Sequence, residues 1–240
     1  MNEFTTVRRS ISGARSAQID EGLRAHMNKV YGLMSVAMII TGAVAYFVGT
    51  NDQLLYAIFS TPLQWVVMLA PLGVVFLFGA MVNRLSVAAA QAVFWGFSAL
   101  MGLSISYIFA VYTGFSIAQT FLITAIAFAG LSLYGYSTKK DLSGMGSFLI
   151  MGLIGLVVAM IVNIFLGSPA IMFAISVIGV LIFAGLTAYD TQKIKSTYLQ
   201  MANGGQTQWL EKAAIMGALS LYLNFLNMFM LLLYLFGNRE

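Results

Sequence analysis

Seven long apolar segments constrain this chain more than any other feature of its sequence. A helix of about 20 apolar residues is long enough to cross the hydrocarbon core of a bilayer. Strands of a membrane barrel would instead show segments of about ten residues with alternating polarity. The sequence therefore predicts an all-α, polytopic membrane protein with seven transmembrane helices. The segments, none of which contains Asp, Glu, Lys or Arg, cover residues 30–49, 65–82, 87–110, 116–136, 148–166, 170–189 and 213–236.

The composition leaves no room for a soluble domain. Charged residues make up 8% of the 240 residues and hydrophobic residues 60%, whereas about 25% of an ordinary soluble domain is charged. We therefore expect three parts, which are an N-terminal tail over 1–29, a transmembrane domain over 30–236 and a short C-terminal tail over 237–240. The chain has no cysteine, so disulfides and thiolate chemistry do not enter the argument.

The distribution of basic residues predicts the orientation. Eleven of the twelve lysines and arginines lie before the first segment or in the links after the second, fourth and sixth segments, and Arg239 is the exception. Cytoplasmic loops of membrane proteins carry such an excess. We expect the N-terminus in the cytoplasm and the C-terminus outside. The net charge of +4 then reflects this bias of the cytoplasmic loops. We expect the lipid bilayer as a partner and no nucleic acid.

A few polar side chains fall where hydrocarbon makes them costly, which marks them as candidates for function. Asp190 ends the sixth segment, and Asn224 and Asn227 share one face of the seventh with Ser220 one turn earlier. Asp190 is either a carboxylate at the water interface or a functional group. The amides are either hydrogen-bonding contacts between helices or part of a polar pathway. In both cases we expect their face to point into the bundle.

Signatures of catalysis are missing from the sequence. It has no His-Glu-x-x-His motif, and His26 is its only histidine. A zinc protease needs that motif, and a serine protease needs a base near its nucleophile. Aspartyl chemistry needs two carboxylates at one site, whereas Asp190 is the one carboxylate next to an apolar segment. We expect the protein not to be an enzyme and to use no cofactor.

Several stretches resemble the transmembrane Bax inhibitor motif family, in particular its bacterial branch. The most specific is Gly-Leu-Thr-Ala-Tyr-Asp-Thr-Gln-Lys at 185–193, and Ala-Leu-Ser-Leu-Tyr-Leu-Asn-Phe-Leu-Asn follows at 218–227. Matches at 23–31, 132–143 and 236–239 extend the resemblance over nearly the whole chain from Leu23. The resemblance implies seven helices, of which six surround a central C-terminal helix.

The resemblance also implies a function and its residues. The family is associated with a pH-sensitive calcium leak and with protection against cell death in eukaryotes, and some bacterial relatives modulate a membrane-bound protease. In channel-like members two aspartates sense pH, and an arginine of the second helix holds them. The first aspartate matches Asp190. The second falls on Asn224, where this sequence departs from the pattern, and Arg84 is the candidate for the arginine.

The leading hypothesis is a calcium or cation leak channel of the bacterial inner membrane. Its path would run between the sixth and seventh helices past Asp190, Asn224, Asn227 and Arg84, with Asp190 as the candidate metal contact. Asn224 cannot titrate, so we expect pH to modulate the channel only weakly. The alternative is a non-conducting regulator that binds another membrane protein, such as a membrane-bound protease, through residues 1–29 and the loop 190–212, in which Asn203-Gly204-Gly205 lends flexibility.

Overall fold

The computed structural model of the chain describes the backbone of residues 3–202 and 207–239 and the side chains of 18–202 and 208–239. The side chains of Arg8, Arg9 and Arg15 and the segment 203–205 lie outside these ranges. The described residues form helices, seven of which are long and apolar enough to cross a membrane. This confirms the predicted all-α, polytopic membrane fold. The helices are α1 (Glu3–Gly49), α2 (Asp52–Phe59), α3 (Leu63–Met81), α4 (Val87–Ile105), α5 (Ile108–Val111), α6 (Gly114–Ser137), α7 (Ser143–Leu166), α8 (Pro169–Met201) and α9 (Thr207–Phe236).

Short polar residues define several helix starts. Ser86, Thr113 and Ser168 each accept a hydrogen bond from a backbone N–H three residues later, at the beginning of α4, α6 and α8. Such caps satisfy N–H groups that have no partner inside the helix. Gly167 ends α7 with a φ of 59°, a left-handed conformation that glycine adopts without the steric cost of a Cβ. The tight α7–α8 hairpin follows from these adjacent residues.

Three helices extend further than the apolar segments predict. The predicted boundary at 29/30 falls inside α1, which continues without a break, α8 continues to Met201, and α9 begins at Thr207. These extensions pack on one another, because Ile194 of α8 is buried and the ring of Tyr198 lies 5.0 Å from the ring of His26. Hydropathy marks only the part of a helix that meets lipid, so packed extensions beyond the membrane escape it.

The last helix is central in the bundle. α9 packs against α1, α4, α6 and α8. In the 18-residue apolar stretch of α9, 61% is buried inside the protein, compared with 17% for the corresponding stretch of α3 and 11% for that of α7. The central position agrees with the resemblance, but the arrangement of the other helices differs from it. α3 packs mainly on α4, and α7 packs on α8, so these two helices form an outer layer.

A cluster of hydrogen bonds that involves Thr41, Ser98 and Tyr222, called the hydroxyl cluster, joins three helices in the middle of the bundle. The Thr41 hydroxyl donates to the Ser98 carbonyl at 2.8 Å, and the Thr41 and Tyr222 hydroxyl oxygens are 2.7 Å apart. A hydroxyl has a single proton to donate, so Tyr222 is the donor to Thr41. Tyr222 is fully buried, with Phe94 and Phe97 packed edge-on against its ring. The hydroxyl cluster fixes α9 against α1 and α4.

The two ends of the bundle carry different residues. The basic end holds Lys29, Arg84, Lys140 and Lys193. At the opposite end residues 237–239, called the C-terminal strap, lie against the α5–α6 link. The Thr113 N–H donates to the Asn238 carbonyl at 3.1 Å, and the Asn238 N–H donates to Ser116 Oγ at 2.9 Å.

Arg239 completes the C-terminal strap. It pairs with Tyr112 in an isolated antiparallel bridge. Its guanidinium lies 5.8 Å from the centre of the Tyr112 ring and 5.5 Å from that of Tyr234, within the range of cation–π attraction. The basic residue that departs from the loop bias therefore anchors the end of α9 to the α5–α6 link.

Candidate functional site

Two of the predicted site residues meet where α8 packs on α9. Asn224 Nδ2 donates a hydrogen bond to Asp190 Oδ2 at 2.7 Å. Asn224 is 5% exposed and Asp190 is half-buried. A carboxylate taken out of water needs a hydrogen-bond donor, because an unpaired buried charge is costly. The amide supplies that donor without adding a second negative charge.

A cavity reaches the Asp190–Asn224 pair from the basic end. Its volume is about 380 Å³, and α1, α8, α9 and the α3–α4 link enclose it. We call it the basic-end cavity. It brings Asp190 together with Lys193 and Lys212, so one carboxylate and two ammonium groups line the same cavity. Its lining includes His26, Val82, Asn83, Asp190, Lys193, Thr197, Trp209, Lys212, Met216 and Ser220.

A second cavity reaches the same pair from the other side. It has a volume of about 390 Å³ and lies between α7, α8 and α9, where its lining includes the exposed side chains of Ile150 and Val157. We call it the lateral cavity. Asp190, Lys193 and Ser220 line both cavities, whereas Asn224 and Asn227 line the lateral one. The hydrogen-bonded pair therefore stands between two cavities rather than on a closed helix interface.

Asn227 departs from the expectation that both amides point into the bundle. Its side chain is exposed, and its Nδ2 donates to the Leu223 carbonyl at 2.8 Å. The expectation is correct for Asn224 and wrong for Asn227. The reason is that α9 is not fully surrounded at this depth, since α7 packs on α8 and leaves the lateral cavity beside α9.

The structure does not bring Arg84 to the site. Arg84 is exposed on the α3–α4 link, and it lines neither cavity. No ion pair or hydrogen bond joins it to Asp190 within the described ranges. Lys193, one turn after Asp190 on α8, is the cation that lines both cavities with it. The resemblance to the arginine of the family's second helix therefore does not identify the charge partner of Asp190 in this structure.

Charged contacts around the basic-end cavity tie its walls together. Lys29 of α1 forms an ion pair with Glu211 of α9. Lys212 Nζ donates to the Asn83 carbonyl at 3.1 Å, which joins α9 to the α3–α4 link. These contacts join α9 to α1 and to the α3–α4 link at the basic end. Asp190 is the carboxylate that lines the cavity between them.

Sequence reasoning missed a chain of hydroxyl groups beside Asp190. The Thr191 hydroxyl donates to the Thr187 carbonyl, so it accepts from Ser132 at 3.0 Å, and Ser132 accepts from Tyr31 at 2.5 Å. The chain links α1, α6 and α8 at the level of the candidate site. Tyr31 ends the matched stretch 23–31, and Ser132 begins the matched stretch 132–143. These positions were the sequence signal that could have located the chain of hydroxyl groups.

The arrangement of acidic groups does not form a closed metal site. Within 18–202 and 208–239, no three His, Cys, Asp or Glu residues are grouped so as to hold a metal ion. Calcium usually takes six to eight oxygen ligands. Asp190 offers a carboxylate oxygen, with the Ser220 side chain lining the same cavities. The site suits transient contact with a hydrated cation better than tight binding.

Comparisons with known proteins agree with the fold and with the matched stretches. The sequence profile of the family described as "Inhibitor of apoptosis-promoting Bax1" matches residues 23–240. The inner membrane protein YbhL of Escherichia coli strain K12 is 45% identical over 220 residues, which cover 91% of this chain and 94% of that protein.

Two further relatives extend over almost the full length. A protein of Caulobacter vibrioides is 46% identical over 252 residues that cover 100% of both chains. The protein RP147 of Rickettsia prowazekii is 44% identical over 227 residues, which cover 95% of each chain. Together with the match to the family profile, these similarities show that this chain, a multi-pass membrane protein, belongs to the Bax inhibitor family.

Proposed function

We propose that the protein is a cation leak channel of the bacterial inner membrane, with calcium as its ion. The observation that carries the proposal is the Asp190–Asn224 pair, which separates the basic-end cavity from the lateral cavity. A carboxylate at such a position attracts cations and lowers the cost of dehydrating them. The location follows from the similarity to a protein named as an inner membrane protein.

The proposed path follows the seam between α8 and α9. A cation enters the basic-end cavity, passes Asp190 and Asn224, and reaches the lateral cavity as far as Asn227. Beyond that level α9 presents buried apolar residues such as Met228 and Leu233, and the C-terminal strap closes the end. Flux therefore requires the outer part of α9 or α7 to move, which suits a slow leak better than a permanently open pore.

Two features limit the flux and its dependence on pH. Lys193 and Lys212 line the basic-end cavity and repel divalent cations that enter it. Asn224 hydrogen-bonds Asp190 but cannot share a proton with it, so the coupled titration of two close carboxylates is absent. We therefore propose a weak, slowly conducting cation path in which Asp190 is the acidic contact.

Purified protein in liposomes that contain a calcium-sensitive dye provides the test. Wild-type vesicles should leak calcium faster than empty vesicles, and Asp190→Asn should reduce the rate because the carboxylate is lost. Asp141→Asn is the matched control, since Asp141 is an exposed carboxylate at the same end of the bundle outside both cavities. Equal rates for wild-type and empty vesicles would refute the proposal.

A second candidate function rests on Asn227. An exposed amide beside the exposed apolar side chains of Ile150 and Val157 is costly in lipid, and a transmembrane helix with a polar residue would satisfy it. The protein would then be a non-conducting regulator of another membrane protein, such as a membrane-bound protease. Residues 1–29 and 190–212 would add contacts outside the membrane. Neither candidate includes a catalytic step.

The two candidates predict opposite results for one substitution. If the protein is a regulator, Asn227→Leu should weaken the association with its partner and leave vesicle permeability unchanged. If it is a channel, removal of the polar group from the lateral cavity should slow calcium flux. Thr61→Val, in the α2–α3 link away from both cavities, is the control for loss of a polar group.

A further inference from the structure

A polar depression lies between the α6–α7 loop and α8, next to the proposed cation path, with which it shares Lys193. Its volume is about 380 Å³, and its cationic lining consists of Lys139, Lys140 and Lys193. Lys139, Lys140 and Lys193 are exposed. Since α6 ends and α7 begins here, the depression lies at the level where the membrane meets water.

The depression has an excess of positive charge. Its carboxylate is Asp141, and Asp141 Oδ1 accepts a hydrogen bond from the Ser143 N–H at 2.9 Å. Hydrogen bonds from the side chain and backbone of Ser143 hold the pKa of Asp141 below its ordinary value, so this group stays ionised at neutral pH. Three cations against one carboxylate still leave an environment that favours an anion.

The loop that carries the lysines is held in place before any ligand binds. Gln192 Oε1 accepts from the Leu142 N–H at 2.8 Å, and its Nε2 donates to the Lys140 carbonyl at 2.7 Å. The Gln192 side chain of α8 therefore fixes both ends of the stretch 140–142 in the α6–α7 loop. A preformed site loses less conformational entropy when it binds.

An apolar groove lies further along the same face of α8, where Ile182 of the groove is seven residues from Tyr189 of the depression. The groove has a volume of about 420 Å³ and is lined by α7 and α8, with Leu149, Gly155 and Ile182 among its residues. Ile182 of the groove and Lys193 of the depression are eleven residues apart, which is three helical turns and about 16 Å. A cationic pocket at the interface thus stands above a groove in the hydrocarbon region.

We infer that this face binds one anionic phospholipid, with its phosphate in the depression and one acyl chain in the α7–α8 groove. Basic pockets between transmembrane helices recognise anionic headgroups, and lysine ammonium groups bind phosphate oxygens. A zwitterionic lipid would bring its own cation against the three lysines. The inference does not depend on calcium flux, because Lys139, Lys140 and Gly155, the residues that the test changes, line neither cavity of the proposed path. Lys193 is shared with that path and is left unchanged.

Native mass spectrometry of the full-length protein in detergent tests this site. Phosphatidylglycerol and phosphatidylcholine with identical acyl chains are added, and the phospholipid retained per protein is counted. The wild type should retain phosphatidylglycerol in preference to phosphatidylcholine. The double variant Lys139→Gln/Lys140→Gln should weaken the retention of phosphatidylglycerol by roughly 30-fold, because the variant loses two lysines and the contribution of each to the binding constant multiplies. Arg84→Gln, which removes an exposed cation from the same end of the bundle, should leave retention unchanged.

A second pair of variants tests the groove. Gly155→Leu should fill it and weaken retention, because Gly155 lines the groove and a Cβ there meets no atom within 4 Å. Gly130→Leu is the matched control on α6, where a Cβ also meets no atom within 4 Å. Equal retention of the two lipids would overturn the inference. Full displacement by inorganic phosphate together with an unaffected Gly155→Leu would also overturn it, since the site would then bind a free anion.

Discussion

At the basic end, α1, α8 and α9 enclose a cavity of about 380 Å³ around charged and polar side chains, whereas at the opposite end the C-terminal strap closes α9 against the α5–α6 link. The contacts differ in kind as well. At the basic end, the ion pair Lys29–Glu211 joins α1 to α9 through two long side chains. At the other end, a backbone hydrogen bond from the Thr113 N–H to the Asn238 carbonyl joins the C-terminal strap to the α5–α6 link.

In the proposed channel, the difference indicates where the resistance to flux lies. The basic-end cavity extends to Asp190, so on this proposal a cation meets no apolar barrier until it has passed Asn224. The remaining length of α9 is buried in apolar contacts and ends in the C-terminal strap. The proposed channel is therefore half-open from the basic end, and its gate lies in the outer half.

The largest expected effect concerns which compartment each end faces. A phosphatase reporter that is active only outside the cytoplasm should be silent when it is fused after Lys140 and active when it is fused after Asp52. The lysines and arginines concentrated at the basic end are the physical reason. Alkaline phosphatase activity in whole cells is the measurement, and activity after Lys140 would reverse the comparison of the two ends.

The next largest effect concerns the C-terminal strap. Tyr112 and Arg239 face each other in an antiparallel bridge without sharing hydrogen bonds, a geometry that brings two Cα atoms close enough for a disulfide. The pair Tyr112→Cys/Arg239→Cys, in a chain that has no other cysteine, should reduce calcium flux to the background of empty vesicles when oxidised and restore it on reduction.

A single substitution serves as the control for this pair. Arg239→Cys alone loosens the C-terminal strap but cannot form a bond within the chain, so its flux should not respond to oxidant. If the oxidised pair conducts as fast as the reduced pair, the gate does not lie at the C-terminal strap, and the sealed end has another role.

A smaller effect should follow from a change at the site itself. Asn224→Asp places a second carboxylate within hydrogen-bond distance of Asp190, and two such groups share a proton rather than ionise together. Calcium flux in the variant should therefore depend on pH between about pH 6 and pH 8, by up to tenfold per pH unit for one coupled proton. A parent protein that is equally pH-dependent would show that another group titrates.

The smallest expected effect lies between the two ends. Tyr222→Phe removes the hydroxyl that donates to Thr41, and the loss of one buried hydrogen bond costs about 1 kcal/mol. The melting temperature in detergent should fall by a few degrees while the direction of insertion stays the same. An unchanged melting temperature would mean that water or another group replaces the hydroxyl.

The sequence predicted the fold better than the site. Hydropathy located seven spans because lipid exposure demands apolar side chains over a fixed length, and it missed the extensions of α8 and α9 because packed helix outside the membrane has no such demand. The Asp190–Asn224 contact followed from the matched motifs. Arg84 did not join it, and Asn227 proved exposed, because the packing of α3 on α4 and of α7 on α8 leaves no signal in hydropathy.

The hydrogen bond between Asn224 and Asp190 also has a consequence for how this protein can evolve. Codons for asparagine and aspartate differ by a single base, and the two side chains have nearly the same shape. A point mutation at Asn224 therefore turns a fixed hydrogen-bond donor into a partner that exchanges a proton, without rebuilding the packing around it. If the proposed function is correct, sensitivity to acid is thus a trait that this protein can gain in one genetic step.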